Sequence, residues 1–291
     1  MIRRFSLINE IGQEFDLNSV KEGFMYAPDG LGYDLEYAYK KTGTRWNRLY
    51  LRDTQAEITA EIVYGTNRPY EAQVGFLAFV RGSKNLTLKK QTDAGAYYKD
   101  VDLVSYGISE IGDDDRLHCP VTMIGRTLWY SKTAEIVNIA SGASGLRYPY
   151  TFPSSFNDYS DGILQVNNSG SVPAAFTIEF YGALTNPVFA VEVGGEEIAS
   201  VAIETSILSG ERIIYSSRDG RIYCFKGTAQ QVEAFKRSGV PAGLTNLALD
   251  FDVSNDNFIK LPVGGSRLHV TADTPLLSPI FVETFKEYRA V

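Results

Sequence analysis

The sequence predicts a mainly β protein built as two domains, and three observations carry that expectation. Its 291 residues exceed what one hydrophobic core usually organises. Tyrosine and phenylalanine, at 18 and 16, supply almost all of the aromatic content, and half-buried pleated surfaces favour both. Runs that alternate apolar with polar residues recur along the chain, separated by turns that contain glycine.

In the first domain, residues 5–17 alternate weakly and turn at Gly12, which reads as a short hairpin. Tyr33, Leu35, Tyr37 and Tyr39 then alternate with Asp34, Glu36 and Ala38, the period of a strand with one covered and one wet face. Gly43 turns that strand back into residues 45–52, and a further strand passes through Ile58, Ala60 and Ile62. A helix is expected over Pro69–Arg81, because Pro69 suits a first turn and Gly82 can end it. Its apolar stripe is read as Tyr70, Val74 and Leu77, with Ala78 and Arg81 beside them. Strands resume at residues 86–89, 97–106 and 116–124, with Asp113 to Asp115 as a turn.

Serine, glycine, alanine, tyrosine, proline and asparagine crowd residues 141–160, so the domains are divided as 1–135 and 136–291. Beyond Gly162 the pattern is strand after strand, at 174–181, 188–193, 200–204, 213–216 and 221–225. Gly194 with Gly195, and Asp219 with Gly220, are tight-turn pairs between apolar strands. One helix interrupts the series at Ala229–Ser238. Thr228 and Gln231 form a capping box, Val232 and Phe235 an apolar stripe, and Gly239 with Pro241 a stop. Strands at 247–251, 267–271 and 280–288 complete this sandwich-like domain.

Charge and side-chain chemistry exclude more than they suggest. Residues 1–135 hold 17 basic and 19 acidic side chains, so neither half is basic and specific nucleic-acid binding is not expected. No apolar run is long enough to span a bilayer, and the first ten residues do not form a signal peptide, so folding in a cytoplasm is expected. Cys119 and Cys224 fall in different domains and build no disulfide framework. His118 adjoins Cys119, but neighbours on a strand point to opposite faces and make no dyad. Asp250, Asp252, Asn255, Asp256 and Asn257 resemble a calcium loop, yet Asn255 stands where the obligatory glycine belongs and Leu261 where the bidentate glutamate belongs. A polar turn is the better reading, and no catalytic, metal or cofactor site is expected.

Several segments carry a family resemblance. FTIEFYGALTNPVF at residues 176–189 resembles a strand that leads into an Asn-Pro turn in the distal tail proteins of siphophages. Gly210 with Glu211, Asp219 with Gly220, and LALDFDVSNDNFIKLPVGGSRLHV at residues 247–270 continue it, with Phe258, Leu261, Pro262 and Gly264 in a closing F-x-x-L-P-x-G pattern. In the first half, the helix, Tyr97 with Tyr98, and LHCPVTMIGRTLWY at residues 117–130 resemble the same family more loosely. The helix at 229–238 looks like an insertion that shorter members lack.

The resemblance implies a non-enzymatic virion protein of the tail tip, assembled in the bacterial host cytoplasm. It implies a barrel-like N-terminal belt domain that forms a hexameric ring and a galectin-like C-terminal β-sandwich. The implied partners are further copies of the chain, the major tail tube protein, the tail-associated protein and receptor-binding proteins, with no membrane insertion and no cofactor. Tyr33, Leu35, Tyr37, Tyr39, Trp46 and Tyr50 are the candidate oligomer interface, since a two-stranded hairpin alone is marginal in water and must lay its aromatic face on something. That something is its own domain's sheet or the neighbouring subunit. A carbohydrate-binding module of an adhesion apparatus is the alternative, weakened because Trp46 and Trp129 both lie in the first half. A cell-wall enzyme comes last, for want of converging residues.

Overall fold

A computed structural model describes residues 3–32, 35–53, 57–139, 161–219, 221–247, 251 and 258–289. Tyr33, the Ser/Gly-rich segment 141–160, Gly220, the calcium-like residues and most of the strand expected at 247–251 lie outside the described residues. The fold is mainly β, as expected, with two helices. The chain divides into two compact units, one of Met1–Ser131 with Tyr288–Val291, the other of Lys132–Glu287.

The first unit contains β1 (Arg4–Asn9), β2 (Glu14–Asp16), β3 (Asn18–Ser19), β4 (Gly23–Asp29), β5 (Leu35–Thr42), β6 (Arg45–Asp53), β7 (Glu57–Tyr64), α1 (Pro69–Arg81), β8 (Leu86–Thr92), β9 (Gly95–Tyr106), β10 (Leu117–Gly125) and the start of β11 (Trp129–Ile136). Strands β9, β10, β7, β4 and β3 are neighbours in that order, and β8 joins β9 to β1 and β2. Alternation works as the sequence suggests: Leu117, Cys119, Val121 and Met123 of β10 are buried, while His118 and Thr122 between them are half-buried. Phe5, Leu7, Ile58, Ile62, Phe76 and Trp129 meet these residues in one core.

Helix α1 has the expected limits but a different buried face. Pro69, Gln73 and Phe76 are buried, whereas Tyr70 and Val74 are 44% and 63% exposed. Phe76 anchors the inward side against Phe15 and Tyr106, with ring centroids 5.4 and 5.3 Å away. Gln73 can be buried because its amide donates to the Cys119 sulfur at 3.4 Å. The helix therefore keeps Tyr70 and Val74, one turn apart, on its solvent side.

The second unit contains β12 (Asn138–Ile139), β13 (Asp161–Asn168), β14 (Ala175–Tyr181), β15 (Leu184–Thr185), β16 (Val188–Val193), β17 (Glu196–Ala202), β18 (Ser206–Ile207), β19 (Glu211–Arg218), β20 (Arg221–Thr228), α2 (Ala229–Ser238), β21 (Thr245–Asn246), β22 (Gly264–Thr271) and β23 (Phe281–Tyr288). One sheet runs β12-β13-β22-β16-β17, and β21, β20, β19, β14 and β23 follow one another in another. Phe189 of the first sheet meets Tyr215 and Phe176 of the second at 4.7 and 5.9 Å between ring centroids, so the two sheets share an aromatic core. Helix α2 is capped as expected: Thr228 and Gln231 bond reciprocally, and Gly239 takes φ 69°. Its Val232 and Phe235 pack on Ile214, Tyr223 and Phe225.

Candidate interaction surface

Strands β5 and β6 form a two-stranded sheet that pairs with no other described strand. Leu35 pairs with Asp53, Tyr37 with Leu51, Tyr39 with Arg48 and Lys41 with Trp46. Paired residues share a face, so Tyr37, Tyr39, Lys41, Arg48 and Trp46 lie on one side of the hairpin. Tyr37 and Tyr39 stack at 6.0 Å, and the Lys41 ammonium sits 5.9 Å from the Trp46 ring centre. These aromatic side chains stay open to solvent in large part: Tyr37, Tyr39 and Trp46 are 42%, 53% and 65% exposed.

A β-bulge between Ala38 and Tyr39 breaks the step that a regular return strand would keep. Position 50 pairs with Ala38, out of step with Tyr37 and Tyr39. The bulge also adds Leu49, 62% exposed, which the sequence reading does not nominate. An alternation count cannot find a bulge, because a bulge is a property of the pairing between two strands and not of either strand alone.

The root of the hairpin is fixed. Gly30 has φ 74°, and a Cβ there would run into the Glu57 carbonyl, so both the dihedral and the space call for glycine. The Trp129 indole donates to the Leu31 carbonyl at 3.1 Å and ties the same loop to the core. Pro28, Asp29, Gly30, Leu31, Glu57 and Thr59 line a shallow open recess beside it.

The titratable residues are engaged in structural pairs. His118 lies between Glu61, 3.0 Å from Nδ1, and Asp114, 3.0 Å from Nε2. The carboxylates occupy opposite edges of the ring and hold its pKa above the usual histidine value, Glu61 first. Asp114 is correspondingly lowered by its bond to His118. Cys119 is buried on the other face of β10, away from half-buried His118. His269 is bonded to Glu192 at 3.1 Å, and Arg267 lies 3.6 Å from the same carboxylate. Among the described residues no three His, Cys, Asp or Glu side chains could hold a metal ion. No described helix is long and apolar enough to cross a membrane.

Among the described residues the most exposed aromatic side chain, Trp46, belongs to the β5–β6 hairpin. Residues 4–125 match the family model described as the N-terminal domain of the distal tail protein, and over these residues the resemblance read from the sequence is borne out. Over the whole chain the fold is similar to a chain of the phage P2 baseplate in its activated conformation with calcium. That likeness has a TM-score of 0.68 and 14% identity and covers 100% of both chains. It is also similar to SPP1 Dit (gp 19.1), described as a paradigm of hub adsorption apparatus in phages that infect Gram-positive hosts. There the TM-score is 0.58 and the identity 10%, over 97% of this chain and 98% of that one. None of the curated proteins matches the sequence.

Proposed function

We propose that this chain is a structural hub of a phage tail tip, a virion protein that assembles as a hexameric ring. The ring joins the tail tube to the tail-associated protein and the host-adhesion device, and the chain is not an enzyme. One observation supports this most directly: a distal tail protein domain bears an aromatic hairpin that its own unit leaves exposed. An isolated hairpin is marginal in water, so a face built from Tyr37, Tyr39 and Trp46 calls for a partner surface. Aromatic side chains of this kind are favoured anchors of protein interfaces.

The purified protein is expected to form a ring, single or stacked back to back with a second when the tail tube is absent. Native mass measurement and light scattering after gel filtration read this directly. Replacing Tyr37 and Trp46 together by serine should convert the ring to monomers while both units keep their thermal transitions. Truncating one such interface anchor commonly costs about 2 kcal/mol or more of binding free energy. A ring that survives the double substitution, or a first unit that unfolds with it, would show that the hairpin is not the interface.

A further inference from the structure

We propose that the inward face of strands β1, β8 and β9 holds a small free oxyanion of the phosphate class, bound by the ammonium groups of Lys99 and Lys90 beside the ring of Trp129. The site lies within the first unit and does not depend on the hub reading.

Lys99 is the observation that calls for an anion. Only 3% of this residue is exposed, and among the described residues its ammonium has neither a hydrogen-bond acceptor nor a carboxylate. Its one polar contact there is the ring of Trp129, whose centre lies 5.4 Å away. The attraction between a cation and an aromatic ring is smaller than the cost of taking an ammonium out of water. Burial accordingly lowers the Lys99 pKa. The described side-chain atoms that are both sealed and unpartnered are Ser266 Oγ and Arg289 Nε, and Lys99 Nζ is not one of them. The amine therefore keeps a narrow window to solvent.

Strand register brings a second cation to the same ring. Lys90 of β8 pairs with Tyr97 and Leu88 with Lys99, so the two lysines are diagonal neighbours on one face, with Cβ atoms roughly 7 Å apart. That face is the inward one, since Leu86, Leu88 and Val101 carry it into the core. The Lys90 ammonium lies 5.9 Å from the Trp129 ring centre. Arg3 stands further out. It is two residues from Phe5, the partner of Lys90 on β1, and its guanidinium carbon lies 5.0 Å from the Phe5 ring centre. Burial lowers the Lys90 pKa, and the Arg3 charge adds to that. Exposure falls from Arg3, open to solvent, through half-buried Lys90 to buried Lys99, which is the order of an entry path.

The acids of this region face the other way. Asp100 and Asp102 of β9 are out of phase with Lys99. Asp100 accepts from Thr87 Oγ1 and from the Tyr130 hydroxyl, both at 2.9 Å, and Asp102 pairs with Arg126 at 3.3 Å. Glu14 of β2 is bonded at 3.0 Å to Lys89, the residue that alternates with Lys90. Within β1, β8 and β9, positive charge thus gathers inward and the carboxylates outward. Lysine ammoniums are point charges that suit phosphate. A window this narrow admits a free ion and not a nucleic-acid backbone.

The chain has two tryptophans, so Trp46→Phe leaves Trp129 as the sole reporter in a full-length protein. Titrated with inorganic phosphate at constant ionic strength, its emission should change and saturate, with no such change in matched chloride. Lys99→Met in the same background keeps the apolar stem and should abolish the response. If that chain does not fold, Lys90→Gln should raise the phosphate midpoint by about tenfold, the loss of one charge-assisted bond. Acetate, and a single-stranded oligonucleotide of equal phosphate content, are the other arms, and neither should match the free ion. An absent or unsaturable response to phosphate, a response unchanged by the lysine substitutions, or a stronger response to acetate or to the oligonucleotide would overturn the proposal.

Discussion

His118 shows how a single side chain can tie a surface loop to a sheet. The ring bridges Glu61 of β7 to Asp114 of the loop before β10, and its pKa is raised by both carboxylates while that of Asp114 is lowered. A raised histidine contributes stability that is complete below its unfolded pKa and is lost as pH rises through the folded value. The lowered Asp114 contributes above its own unfolded pKa and loses its share as pH falls through its folded value. The brace is therefore firmest in mildly acidic solution and loosens as pH rises past the histidine's raised pKa. Amide exchange in residues 108–116 should quicken between pH 5.5 and 8 beyond its intrinsic pH dependence, and His118→Asn should remove that excess. An excess that persists in the variant would assign the pH response to another group. The sequence placed His118 and Cys119 on opposite faces from strand alternation alone, and that reading holds. The partners of His118 were not legible there, because Glu61 lies 57 positions away and meets it only through strand pairing.

Among the elements, helices and strands were legible where local chemistry dictates them, and less so where a neighbour decides. Pro69 and the Thr228–Gln231 box set the helix starts without help from tertiary structure. The buried face of α1 was misread because Tyr70 and Val74 make as good an apolar stripe as Phe76 does, and only packing chooses between them. Glu179 gives the same lesson on a strand. In FTIEFY it alternates outward as a solvated glutamate would, yet it is buried, with Arg212 at 2.9 Å and Lys236 of α2 at 2.7 Å. The Arg212 guanidinium also lies 4.3 Å from the Tyr181 ring centre, and burial, aided by Glu179, pushes the Tyr181 hydroxyl up to about 12. This network fastens α2 to β14 and β19. Glu179→Ala removes the buried carboxylate while Arg212 and Lys236 keep Glu233, and the loss of such charge-assisted bonds runs at about 2 kcal/mol. The urea midpoint should fall accordingly, and amide exchange in α2 should rise more than in β13. Equal change in both elements would show that the network does not fasten the helix in particular.

For the whole molecule, the chain path matters as much as the two folds. The first unit is left at Ser131 and regained at Tyr288, whose ring meets Tyr97 at 5.5 Å and whose hydroxyl lies 3.4 Å from Ser131 Oγ. The sequence reading divides the chain after residue 135, inside β11. Val137, just beyond that point, is buried in the core of the second unit. Nothing in the composition marks Tyr288 as belonging elsewhere, since residues 281–288 read as one uninterrupted strand. Deleting residues 132–287 and closing the gap with a short Gly-Ser linker should leave a first unit that unfolds cooperatively. Ending the chain at Ser131 should lower its melting temperature, because the Tyr97 edge loses its cover. Equal melting temperatures for the two fragments would show that the returning residues add nothing.

The side-by-side exit and re-entry at Ser131 and Tyr288 also bear on how such genes can be shuffled. A domain strung on one end can be replaced by a single crossover that carries everything downstream. Here a single crossover within the second unit would leave the first with a foreign last strand end against Tyr97. Exchange that preserves both units needs two breakpoints, one near codon 132 and one near codon 287, and so behaves as a cassette insertion rather than a tail swap.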